Sequence, residues 1–221
     1  MVKYTRFLSP CVISLLASVS LGIVTTGIAF SSGLSNEARL EVAERHFRAA
    51  ERADEGSMIR SASYSKAAQL AEEVVAQDPR NSAAHFILFA ARGRPLLDGG
   101  SVSVTNIWKY AGLNDHLTKA LELDPKNANA LAAKGGILLD LPSFLGGNPA
   151  AGRDLLVRAL ELNPTGLGTR VTLARALLEE GERESARRHL LLAAHYACVK
   201  REASALMKAE ELLGRLDGGA L

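Results

Sequence analysis

Beyond residue 36, apolar and small residues recur three and four positions apart along most of the chain, the spacing of one face of an α-helix. Between 128 and 164 the pattern occurs twice in succession. Leu131, Gly135 and Leu138 mark a first helix, and Leu155, Leu156, Ala159, Leu160 and Leu162 mark a second that stops at Asn163-Pro164. Two amphipathic helices joined by a turn make a hairpin, which cannot bury both apolar faces by itself. Neighbours of the same kind are therefore required. The chain supplies them: Gln77-Asp78-Pro79 and Leu123-Asp124-Pro125 close apolar runs in the way that Leu162-Asn163-Pro164 does.

Taken in order, the pattern predicts hairpins over 36–79, 82–125, 128–164 and 167–198. In the first, Leu40, Ala43, Phe47 and Ala50 share one face of a helix over 36–53, and Ala67, Leu70, Ala71, Val74 and Val75 share one face of a partner over 64–76. Gly56-Ser57 breaks the two, and Ser61 or Ser63 is placed to cap the second. Over 200–216, Ala203, Leu206, Met207, Leu212 and Leu213 form a last apolar stripe that ends before Gly218. This reads as a capping helix, because an uncovered terminal hairpin exposes its apolar face. The expected class is all-α.

Three proline-closed hairpins resemble the tetratricopeptide family, whose unit is about 34 residues. In the family's positions the unit from Ala128 carries Leu131, Gly135, Leu138, Gly152, Leu156, Ala159 and Pro164. The next carries Leu173, Ala174, Leu177, Ala186, Leu190 and Ala193, with Cys198 in the proline's place. The earlier one carries Leu88, Leu117, Ala120 and Pro125, with Phe89 where a small residue is usual. The resemblance implies a right-handed superhelix of about four hairpins. Pro79, Pro125 and Pro164 fall 46 and 39 residues apart, so the extra length belongs in two hairpin tips, 92–106 and 141–148. Asn148-Pro149 is a helix start, and Phe144 and Leu145 are apolar enough that they are expected to fold back on the hairpin. The run from Phe144 to Pro149 also resembles the tip of small exported bacterial repeat proteins, including the soluble component associated with TRAP-type transporters.

The first 30 residues differ from the rest, since Lys3 and Arg6 precede an uncharged run from Phe7 to Phe30. Such a segment is either a cleaved secretory signal, with small residues near Ala29 for cleavage, or a membrane-spanning anchor. In both cases the basic residues stay in the cytoplasm, and Ser31 onward is expected in the periplasm, with membrane contact confined to 7–30. Cys11 is not a lipidation site, because the apolar core follows it. Lys3 and Arg6 also account for the whole formal charge of +2, so the body is balanced and has no basic footprint for nucleic acid. With Cys198 alone beyond the leader, the body has no internal disulfide to rely on.

Sequence chemistry is sparse. There is no glycine-rich phosphate loop, nucleophile elbow or His-Glu-x-x-His helix, and no cofactor is expected. His46, His85, His116, His189 and His195 are scattered and read as packing or solvent-facing residues rather than ligands. The expectation is a non-enzymatic interaction module of the bacterial cell envelope. By the family resemblance, the first helix of each hairpin lines a concave groove. Its inner positions are Phe86 and Ala90, then Asn129, Ala132, Gly136 and Leu139, then Gly168, Val171, Arg175 and Leu178. The Lys and Asn set with which some relatives clamp a peptide carboxylate is missing. Trp108, Tyr110 and Phe144 form a second candidate patch near the tips, since aromatic residues are enriched at binding surfaces. The expected partner is a protein, with an apolar small molecule held by a transporter accessory as the alternative.

Overall fold

A computed structural model describes residues 33–96 and 104–218, with only the backbone described over 104–112. The leader expected over 1–30 lies outside the described residues, as does 97–103 of the longer tip. Nine α-helices and no strand occur among the described residues: α1 (Asn36–Arg52), α2 (Met58–Gln77), α3 (Ser82–Gly93), α4 (Val104–Leu123), α5 (Ala128–Asp140), α6 (Pro149–Leu162), α7 (Leu167–Glu179), α8 (Arg183–Lys200) and α9 (Ala203–Asp217). Successive helices pack as antiparallel pairs, α1 with α2 through α7 with α8, and α9 lies against α8. The result is an all-α, tetratricopeptide-like array of hairpins. Among the described residues no helix is long and apolar enough to cross a membrane.

The joints between hairpins follow directly from the sequence. In Asp78-Pro79-Arg80-Asn81 the Asp78 carboxylate accepts from Arg80 N at 3.1 Å, and Asn81 caps α3 by accepting from Ala84 N. Asp124-Pro125-Lys126-Asn127 repeats the device, with Lys126 N donating to Asp124 at 2.9 Å and Asn127 capping α5. Each asparagine satisfies a backbone donor that its helix leaves open, and each aspartate one in the turn before it. Asn148 caps α6 in the same way, with Pro149 at the first helical position.

Three expected boundaries move. The second helix begins at Met58, and its cap is Ser57, which accepts from Arg60 N; Ser61 and Ser63 lie inside the helix. Gly56, at φ 75°, makes the turn just before it and so fixes the cap. The longer tip is shorter than the expected 92–106, because α3 runs to Gly93, a 3-10 turn follows over Arg94–Leu96, and α4 begins at Val104. The last helix starts at Ala203, after Arg201 adopts a left-handed conformation at φ 55° and ends α8.

Phe144 and Leu145 do not fold back on the hairpin; Phe144 is 84% exposed. They sit in a 3-10 turn over Ser143–Leu145. The chain then reverses at Gly146 (φ 91°) and Gly147, where a Cβ would lie 1.7 Å from the Leu141 carbonyl oxygen. Asn148 N donates to Leu138 O at 2.9 Å. The tip thus closes on its own backbone and leaves no helix surface under Phe144.

The core runs through the array as three clusters, the first two of them linked. Tyr64, Leu70, Ile87 and Leu88 centre the first; Phe89, Leu117, Ala120 and Ala130 the second; Leu156, Leu173, Leu177 and Leu190 the third. Phe47 and Phe86 pack against both the first and the second cluster, so these are one continuous interior. Arg52, at the end of α1, and Glu202, just before α9, approach to 3.9 Å.

Candidate functional site

The array is organised by one buried residue in each first helix, small in all of them but α3. Ala43, Ala174 and Ala209 are fully buried, and Gly135 is buried at the corresponding point of α5. The reason is clearest at Gly135. A Cβ there would meet Gly152 O at 2.8 Å and Leu156 Cγ at 3.0 Å, while one on Gly152 would meet Gly135 O at 2.8 Å. The two glycines let α5 and α6 cross at backbone contact. Phe89 takes this position in α3 and is itself buried, at the centre of the second cluster.

Positions three before and four after the crossing residue share a helix face. They give one row of Leu40, Phe86, Ala132, Val171 and Leu206, all half-buried, and a second of Phe47, Leu139, Leu178 and Leu213, also half-buried, with Gly93 completing it in α3. The first helices carrying these rows lie side by side: α1 touches α3, α5 touches α7, and α7 touches α9. Gly136, next to the crossing glycine, points away from the partner helix. A Cβ on it would meet Thr172 Cγ2 at 4.0 Å and nothing nearer.

Of the residues expected at the groove, Phe86, Ala132, Gly136, Leu139 and Val171 fall on this half-buried face, Asn129, Gly168 and Arg175 on its exposed margins, and Ala90 within the second core cluster. Trp108 and Tyr110 belong to α4, but their side chains lie outside the described residues; Phe144, the third residue of the expected aromatic patch, is exposed. Five members of the rows were not anticipated: Leu40, Phe47, Gly93, Leu206 and Leu213. The signal was present, since Ala43 and Ala209, like Ala174, have apolar residues three before and four after.

Charge along this face is mostly matched from within. Arg175 Nη2 donates to Asp140 Oδ1 at 2.6 Å across α7 and α5, Arg94 Nε lies 3.5 Å from Glu51 Oε1, and Arg48 pairs with Glu44 on α1. Tyr64 OH also donates to Glu51, and burial, followed by that carboxylate, pushes its phenol well above the usual range. Among the described residues no group of three His, Cys, Asp or Glu is placed to hold a metal ion. A cavity of about 450 Å³ lies against the exposed side of α6, lined by Lys126, Arg153, Asp154, Val157, Arg158, Glu161 and Leu162. Its lining is mainly charged, and Arg153 is already held by Glu180 and Glu182.

Two polar joints were not legible as pairs. His85 Nδ1 and His116 Nδ1 are 2.9 Å apart, joining α3 to α4, and Arg170 Nη1 approaches His189 Nδ1 at 3.4 Å, joining α7 to α8. Their members lie 31 and 19 residues apart in sequence, so only the hairpin packing brings them together.

No family model matches the chain, and neither does any curated protein. Among solved structures it is similar to MamA, with 15% identity over 75% of this chain and 91% of that one at a TM-score of 0.42. It is also similar to TTC0263, a thermophilic TPR protein of Thermus thermophilus, with 20% identity over 85% and 96% of the chains at a TM-score of 0.45. PilW, a type IV pilus biogenesis factor, gives 14% identity over 81% and 78% at a TM-score of 0.46. At these scores the repeat architecture rests on the helices described above.

Proposed function

We propose that this chain is a non-enzymatic interaction module of the cell envelope whose inner face holds a segment of a protein partner. The observation that carries this reading is the pair of half-buried apolar rows on the first helices, Leu40, Phe47 and Phe86 on the touching α1 and α3, and Ala132, Leu139, Val171, Leu178, Leu206 and Leu213 on the touching α5, α7 and α9. Contiguous apolar surface of this kind marks a binding site more often than an idle face, and a solenoid presents it as an extended concavity. Because Arg175, Arg94 and Arg48 already have acidic partners, the face offers little unpaired charge to a ligand. The segment it fits is an uncharged, apolar stretch, not an acidic or basic tail. Export to the periplasm is part of the proposal and rests on Lys3 and Arg6 ahead of the uncharged run 7–30.

Gly136→Phe tests the site: a Cβ there would meet nothing nearer than Thr172 Cγ2 of α7 at 4.0 Å, so the ring projects from the inner face over Thr172 and away from the α5–α6 crossing. A protein recovered from crosslinked envelopes with the native chain should be lost with Gly136→Phe and kept with Val157→Lys on the exposed side of α6. Equal recovery with Gly136→Phe removes the inner face as the site. A lipid or fatty acid released in stoichiometric amount on denaturation, with no protein adduct, replaces the protein partner by an apolar small molecule.

A further inference from the structure

The two polar joints occupy equivalent places. His85 lies four residues before Phe89 and Arg170 four before Ala174, the crossing positions of their helices. His116 and His189 lie four residues before the buried Ala120 and Ala193 of the partner helices. Each joint also grips the hairpin before it. His85 Nε2–H donates to Pro79 O at 3.0 Å, and Arg170 donates to Pro164 O from Nε at 3.0 Å and from Nη2 at 2.6 Å. One cluster of side chains therefore ties three segments: the preceding proline turn, the first helix and the second helix. His85 and Arg170 are both buried. The equivalent residue of α1, Arg39, instead meets Glu73 at 3.2 Å and Gln77 at 3.2 Å, and that of α5 is the apolar Leu131.

We propose that these two joints are acid-sensitive clasps, which hold the hairpins to their predecessors while His189 and the His85–His116 pair are neutral and let go when they take up protons. The proton positions follow from the partners. A guanidinium only donates, so His189 must present the Nδ1 lone pair to Arg170; a proton on Nδ1 would set N–H against N–H and one cation against another. At the other joint His85 spends its Nε2–H on Pro79 O, which leaves Nδ1 as an acceptor for His116 Nδ1–H. A first proton can settle on His116 Nε2 and leave that bond intact. A second must enter between the two rings and break it. The Arg170–His189 clasp thus opens first.

The surroundings oppose protonation at both joints. Burial, then Arg170 from α7 and Arg188 on its own helix, hold the His189 imidazole below its usual range. Burial, then His85 and Arg92 from α3, do the same for His116, against a smaller opposing pull from Asp115 on its own helix and Glu72 on α2. A histidine held neutral in the fold, but titrating near about 6.5 when unfolded, leaves stability flat above that pH. Stability is then lost as the pH falls from there through the folded value.

The test is the melting midpoint of the full-length chain between pH 7.5 and 5.0, compared with a His116→Gln/His189→Gln double variant. Glutamine can accept from Arg170 and donate to His85 without titrating. The native midpoint should fall on acidification, and that of the double variant should fall less, by at least about 2 °C over the same interval. An unchanged pH slope in the double variant overturns the proposal. If the double variant does not fold, ring-nitrogen NMR of the native chain decides: His189 with an unprotonated Nδ1 at pH 7.5 and a titration below about 6.5 supports it, and a protonated Nδ1 or a titration at or above that value overturns it.

Discussion

Two adjacent glycines in α5 illustrate how far residue type alone can be read. Sequence raises the question at Gly136, because a glycine inside a helix costs about 1 kcal/mol against alanine and needs a reason. The structure answers it differently for each neighbour: Gly135 has the backbone of α6 against it, and Gly136 meets only Thr172 Cγ2, at 4.0 Å. Gly135→Ala and Gly152→Ala should therefore each destabilise by about 1–3 kcal/mol through overpacking. Gly136→Ala should stabilise by about 0.5–1 kcal/mol by removing freedom from the unfolded chain. Urea unfolding of the three variants checks both signs, and the reverse order would place the wrong glycine at the crossing. The histidine joints were beyond such reading, since nothing in the spacing of His85 and His116 indicates a contact that two separate helices create. Phe144 was misread because its apolarity was taken to require cover, whereas the turn at Gly146 and Gly147 closes the tip on its own backbone and leaves the ring exposed.

At the scale of elements, the helices were legible wherever a proline turn punctuates the pattern. Asp-Pro-x-Asn supplies both a stop and the next cap, so the starts of α3 and α5 are written into four residues. The start of α2 was not, because Ser57, Ser61 and Ser63 can each serve as a cap, and the choice falls to the left-handed Gly56 before them. Helix faces were better specified than helix ends. Ala159 and Ala186 are 2% and 0% exposed, each on the second helix of its hairpin where the neighbouring first helix lies close. Enlarging either to leucine should cost about 1–3 kcal/mol, whereas Val157→Leu, on an exposed position of α6, should stay within about 0.5 kcal/mol. Chemical denaturation midpoints measure all three, and an unperturbed Ala159→Leu would contradict the register of the third hairpin.

For the whole molecule, the repeat was visible in the sequence because the same stop recurs, and the groove was visible only as far as the family's positions could be carried. They were carried from the second hairpin onward. Leu40 and Phe47 were read simply as core residues of a first hairpin whose register the sequence left open, and Leu206 and Leu213 as part of a cap. In the folded chain α9 repeats the pattern of α7 around buried Ala209, so it continues the half-buried rows as well as packing against α8. Whether that face meets the periplasm is a matter of topology: a periplasmic reporter fused after Leu221 should be active, and activity confined to a cytoplasmic reporter would contradict export.

The central claim, that partners bind the inner face, is tested most directly by a photo-crosslinking residue placed at Val171 and, separately, at Leu191, which is 55% exposed on α8. Irradiation of living cells should yield a discrete protein adduct from Val171 that Gly136→Phe suppresses, with none from Leu191. An adduct from Leu191 and none from Val171 would show that the chain works through its outer surface.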